Sequence, residues 1–459
     1  MRRISQEVND LVNRSMDRHL KLAVTGLSRA GKTAYITSLV NQLLYTSTHD
    51  NLPLFAAASE KRLIGAKREP QSNMLVPRFG YDAAVDSLQS TPPQWPEPTR
   101  DVSEIRLAIR YKPQSGALKL LSKTATLYLD IVDYPGEWLL DLPLLELDFD
   151  QWSELQFAAL KGTRAELAKP LLEALREFNA ASEADENQLA HLACLYTQYL
   201  HDCKDHGLHW VQPGRFVLPG ELEGAPVLQF FPLRADDGVD KQAKHNQYAM
   251  LKARYQEYQS KVVKRFYKEH FSTFDRQIVL VDCLQPLNAG HDSFHDMQSA
   301  IEQLLKSFKY GRSNLFSRLF SAKIDKVLFA ATKADHVTPD QHPNLTSLLK
   351  QMIHPAWQHT AYENIEMNCM TLASVNATQA GFVTTGNSTQ PAIQGVMEDN
   401  QAITLYPGDV PAKLPKADYW QHSQFEFHSF KPMPQEANTP CGHIRMDKAL
   451  QFLIGDKLK

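Results

Sequence analysis

Gly26-Leu27-Ser28-Arg29-Ala30-Gly31-Lys32-Thr33 sets two glycines, a lysine and a hydroxyl at fixed spacing, directly after the apolar run Leu20–Thr25. That pattern suits a phosphate chain. Where glycines let the backbone turn tightly, its N–H groups converge on an anion, and the helix that follows adds its positive end. The peptide groups of Ser28, Arg29, Ala30, Gly31 and Ala34 would line such a cradle. Lys32 would bridge the β- and γ-phosphates, acting as a catalytic charge, and the Thr33 hydroxyl would ligate Mg2+.

Three later segments extend the same chemistry. Asp133-Tyr134-Pro135-Gly136 ends the strand-like "TATLYLDIV"; it would put the Asp133 carboxylate near the metal and the Gly136 N–H near a γ-phosphate. Thr332-Lys333-Ala334-Asp335 ends "KVLFAA". Its Asp335 carboxylate can accept from both N1–H and the 2-amino group of guanine, an arrangement adenine does not offer. The Lys333 stem would lie along the base plane. Ser374 and Val375, after "NCMTLA", would turn backbone N–H groups toward guanine O6. Thr99, just before "IRLAIRY", is the expected first-switch threonine, its hydroxyl on Mg2+ and its N–H on the γ-phosphate; Thr91 competes with it.

For hydrolysis the chain offers three further candidates. Glu137 could orient or deprotonate water, although its charge near a triphosphate is costly, or it could simply favour a helix N-terminus. Arg29 in the loop and Arg100 beside Thr99 could each serve as a built-in arginine finger. Their alternative role is that of solvated surface charges. Slow intrinsic turnover is the expectation.

These residues need a sheet to hold them. Apolar runs predict strands near residues 19–25, 104–111, 124–133, 277–283, 326–332 and 368–373, and "AYITSLVNQLLY" has helical spacing. The fold class expected is α/β, a P-loop NTPase with a mainly parallel sheet flanked by helices and a large, mainly helical insertion. Residues 1–136 and 276–378, with a C-terminal helix in 442–459, would form the core. Residues 137–275 would form the insertion, with strand and turn signals in 209–233, and 379–441 a second insertion of loops and short strands. A basic helix around Lys241–Lys268 reads as a solvated face with tyrosines inward. His201, Cys203, His206 and His209 match no compact zinc spacing.

The net charge of −3 gives no push toward nucleic acid, and none is expected as a partner. The five scattered cysteines contain no CxxC pair, which points to a reducing compartment. The N-terminal stretch lacks the apolar core of a secretory signal, and no window is apolar enough to span a bilayer. A cytoplasmic location, at most peripheral to the inner membrane, is expected.

The blocks "TGLSRAGKT" and "ATKADHV" resemble those of P-loop GTPases, the latter in the TKxD form of dynamin-related members. There Thr332 replaces an asparagine that normally ties the base loop to the phosphate loop. With "TRDVSEIRLAIRY" and "LYLDIVDYPGEWLLDLPLL" and their spacing, the chain resembles the YcjX-like family of bacterial stress-associated GTPases over most of its length. That resemblance implies GTP/GDP and Mg2+ as ligands and a link to the phage-shock response. A protein effector, a membrane-protein partner or a homodimer could speed turnover. The residues leave open a non-catalytic guanine-nucleotide scaffold, and ATP in place of GTP.

Overall fold

The computed structural model describes residues 18–27, 29–98, 100–114, 123–234, 239–307, 324–360, 365–385, 388–422 and 425–459. The chain divides into two compact units. The first comprises residues 1–134, 274–284 and 323–459; the second comprises 135–273 and 285–322.

The first unit is built on a seven-stranded sheet of order β2-β3-β4-β1-β5-β6-β7. Its strands are β1 (Arg18–Gly26), β2 (Leu63–Glu69), β3 (Ser103–Tyr111), β4 (Ala125–Asp133), β5 (Arg276–Val281), β6 (Lys326–Ala331) and β7 (Glu366–Thr371). From β4 through β7 the pairings are parallel, and β2 and β3 add antiparallel edges. The mixed α/β fold with a mainly parallel sheet is therefore the one expected from the sequence. Six of the seven strands fall where the apolar runs predict them. The seventh, β2, is an edge strand with no fully buried residue, so it leaves no hydrophobic run to read.

Parallel central strands are covered on both faces, so they read as unbroken apolar runs. Leu20, Leu22 and Val24 of β1 join Ile278, Leu280, Leu328 and Ala330 in one cluster with Ile36, Leu39, Val40 and Leu43. The last four lie on α1 (Lys32–Tyr45). α2 (Tyr81–Gln89) precedes β3. A three-stranded antiparallel sheet, β8 (Thr378–Thr385), β9 (Ser388–Val396) and β10 (Ala402–Leu405), follows β7.

The second unit is made of helices, among them α3 (Phe149–Ala158), α4 (Glu186–Asp205), α5 (Gln247–Glu257) and α6 (His291–Ser307). Its aromatic core joins Trp152, Tyr196, Phe216, Phe230, Tyr255 and Tyr258 at ring-contact distances. Residues 209–233 hold short helical turns at Gly214–Val217, Gly220–Leu222 and Pro226–Leu228, not strands. Their prolines and glycines gave the turn signal, but the aromatics pack singly into this core. Tyr248 and Tyr255 are buried and Lys241 is exposed beside Asp150, as expected of a solvated basic face, but Arg254 is buried, drawn inward to the Glu186 carboxylate and the Gln229 carbonyl. α7 (His342–Thr360) and α8 (Met446–Ile454) return to the first unit.

Candidate functional site

Because β4, β1, β5, β6 and β7 are parallel, their C-terminal ends lie along one edge of the sheet, the usual ligand-binding edge of such folds. The glycine-rich loop leaves that edge after β1. Arg29 and Gly31 take the left-handed conformation, with φ of 61° and 80°. For Gly31 this costs nothing sterically, whereas an arginine there carries roughly 1 kcal/mol or more of strain. Gly26 serves another need: a Cβ would lie 2.7 Å from the Leu280 carbonyl oxygen on β5. Ala30 is buried, Arg29 and Gly31 are exposed, and Lys32, Thr33 and Ala34 are half-buried. Lys32 folds back over the loop, its Nζ donating to the Gly26 carbonyl at 3.3 Å. Ser28 lies outside the described residues.

Asp133 stands opposite Val24 in the β1–β4 register and opposite Ser103 on β3. It is therefore beside the root of the phosphate loop and beside the segment entering β3. Thr33 and Asp133 provide a hydroxyl and a carboxylate, the hard oxygen donors Mg2+ takes while keeping several waters. Thr99 lies outside the described residues. Arg100 is exposed and sits 3.8 Å from Glu97. Among the described residues no group of three or more His, Cys, Asp or Glu is placed to hold a metal, so His201, Cys203, His206 and His209 form none.

Gly136 and Glu137 open a 3-10 stretch, Gly136–Glu146, within the helical unit. Its apolar sequence, Trp138-Leu139-Leu140, buries it there. The Glu137 side chain is only 6% exposed, and Lys204 on α4 places Nζ 2.8 Å from its Oε1. Trp138 donates its indole N–H to the Leu218 carbonyl, and the Arg215 guanidinium lies 3.2 Å over its ring. Asp141 accepts from Gly214 N–H at 2.7 Å and from the Tyr258 hydroxyl at 2.5 Å. Burial nevertheless pushes its carboxyl up to about 7, against the pull of those donors.

The segment 332–335 follows β6. Lys333 is left-handed, with φ of 59°. Its Nζ lies 2.6 Å from Oδ2 of Asp282, a residue just past β5 that is 2% exposed. Thr332 bonds to the Val281 carbonyl through both its N–H, at 2.9 Å, and its hydroxyl, at 3.4 Å. The loop is thus tied to β5. Asp335 is buried, with Ala377 N–H 2.6 Å from Oδ2 and His336 Nδ1 3.2 Å from Oδ1. Burial alone would raise its pKa, but the charge and hydrogen bond of His336 and the Ala377 N–H outweigh it. The carboxyl stays below the ordinary range and is ionised at neutral pH. A cavity of about 380 Å3 borders Asp335, His342, Asn376, Thr378 and Met433; no residue of the glycine-rich loop lines it.

Ser374 is half-buried, and Val375 packs its side chain against Leu88 and Cys441. Only the backbone of Val375 is thereby offered to a ligand. Ala373 and Asn376, on either side, give their N–H groups to the Ile444 and Gly442 carbonyls. Two residues were missed in the sequence, Asp282 and Lys204. A carboxylate directly after the buried run "IVLV" was a usable signal for Asp282; one lysine of a polar helix gave none for Lys204.

The sheet edge thus gathers the loop after β1, Asp133, Asp282, Lys333 and Asp335 in the first unit, while Gly136 and Glu137 belong to the second. The chain is 53% identical to the Ras-like GTPase YcjX of Escherichia coli (strain K12), with both chains covered in full. It is 45% identical to the Ras-like GTPase YcjX of Shewanella oneidensis, over all of this chain and 99% of the relative. The profile of the YcjX-like family, DUF463, matches residues 20–458, and the chain belongs to that family.

Proposed function

We propose that this protein binds GTP and hydrolyses it to GDP and phosphate, serving as a nucleotide-dependent switch in a bacterial stress response. Its relatives, named Ras-like GTPases, support the GTPase reading. The observation that carries it is the placement of a glycine-rich phosphate loop and the buried, ionised Asp335 at the carboxyl ends of parallel strands in one sheet. The loop amides from Ser28 to Ala34 would hold the phosphates, with Lys32 moving from the Gly26 carbonyl onto the β- and γ-oxygens. Thr33 and Asp133, with Thr99 in the GTP state, would hold Mg2+, which supplies charge neutralisation on those oxygens. Asp335 accepts from the guanine edge, the Lys333 stem supports the ring, and Ser374 and Val375 meet O6. Arg29 and Arg100 are the arginines offered to the γ-phosphate. The protein would work in the cytoplasm or at the inner-membrane surface, with a protein effector or a second copy reading its state.

One observation favours a second reading, a non-catalytic scaffold. Glu137 is held by Lys204 in the helical unit, and a carboxylate bound to an ammonium is a poor base for water. In the hydrolase reading this pair opens when GTP orders Gly136. Single-turnover phosphate release decides between them. Slow release that falls further in Glu137→Ala and Arg29→Ala supports the hydrolase; equal, near-zero release in every form supports the scaffold.

A further inference from the structure

We propose that Asp282 is a positioning residue for nucleotide binding: it pins the Lys333 ammonium so that the lysine stem forms a fixed platform for the base. The proposal rests on the guanine-nucleotide reading above and goes beyond it, since no motif assigns Asp282 a role.

β5 is the strand between β1, which carries the phosphate loop, and β6, which carries the base loop. Val281 pairs with Ala331 in the β5–β6 register, and Gly26 pairs with Leu280 in the β1–β5 register. Asp282 is therefore the first residue past β5, on the edge where both loops begin. Its side chain is 2% exposed, whereas that of Lys333 is 31% exposed. A carboxylate that deep needs a partner, and Lys333 at 2.6 Å provides one. The Lys333 methylenes must then run from the end of β6 toward the end of β5, across neighbouring strands spaced about 4.8 Å apart. A free lysine samples many rotamers and loses that freedom on meeting a ligand. Here the freedom is already spent, because the head is tied and the backbone is fixed in its left-handed turn. Asp282 also accepts from the Leu284 N–H at 3.0 Å through Oδ1, which holds the carboxylate itself in place.

The test is a double-mutant cycle on the full chain with Mg2+, reading GDP and inorganic tripolyphosphate affinity by calorimetry. Asp282→Asn keeps the size and the acceptor for Leu284 but loses the charge; Asp282→Ser keeps a smaller acceptor and serves if the first variant unfolds. Each should weaken GDP about tenfold and leave tripolyphosphate unchanged, because the loss lies at the base. In the Lys333→Met background neither should weaken GDP further. Unchanged GDP affinity in Asp282→Asn, additive losses in the double variant, or an equal loss of tripolyphosphate would overturn the assignment. Absence of GDP binding by the unaltered chain would overturn the parent reading and this one with it.

Discussion

In the proposed function, Lys32 and Asp335 would divide the recognition of one ligand between charge and hydrogen-bond polarity. Lys32 would meet phosphate oxygens wherever they come from, whereas Asp335 would accept only where a base donates. Asp335→Asn replaces one acceptor oxygen by a donor amide, so GTP affinity should fall about 100-fold or more while the fold survives. Competition between GTP and ATP on the purified variant checks this, and intact GTP preference would count against the assignment. The types and spacings that phosphate binding and base selection would demand were legible in the sequence at these residues. Their partners were not. Asp282 beside Lys333 and Lys204 beside Glu137 are contacts between segments distant in sequence, and pairing across strands or helices leaves no local pattern. The Val375 side chain packs in the core against Leu88 and Cys441, which leaves its backbone, the part the motif position concerns, for a ligand.

At the scale of elements, apolar periodicity revealed the strands whose ends carry the site, and close approach explains what periodicity left unsaid. Gly26 lets β1 leave the sheet against Leu280, so Gly26→Ala should push the loop off β5 and cost about 1–3 kcal/mol of stability. Thermal unfolding and GDP titration of that variant check both effects. The segment 136–146 is held in the helical unit by Asp141. Its carboxyl rises from 3.8 to about 7 on folding, so between those values the folded state holds the extra proton. Stability of this unit should therefore decline as pH rises from about 4 to 7 and level off above. Asp141→Asn should flatten that profile; a profile unchanged by the substitution would contradict the account. Lys204→Met removes the ammonium facing Glu137 and, in the hydrolase reading, should raise single-turnover phosphate release several-fold.

For the whole molecule, the apolar runs conveyed the α/β core, and α6 groups with the helices of the second unit. That grouping rests on α6 contacts, such as Asp296 with Arg164 at 2.6 Å, which join segments far apart in the chain. The C-terminal end is fastened to the sheet by Arg276, fully buried on β5, through Asp456, and the same guanidinium also pairs with Asp325 just before β6. Arg276→Met should cost about 2 kcal/mol, below the ~3–5 of a fully buried pair because both acids can rehydrate. Denaturant unfolding measures it. The central claim is that one sheet edge selects a guanine nucleotide by its phosphates and its base together. Calorimetric titration of the intact, Mg2+-supplied protein with GDP, GTP and ATP tests it most directly. The account predicts saturable heat with both guanine nucleotides and at least tenfold weaker binding of ATP. No heat from either guanine nucleotide, or ATP bound as tightly, would contradict it.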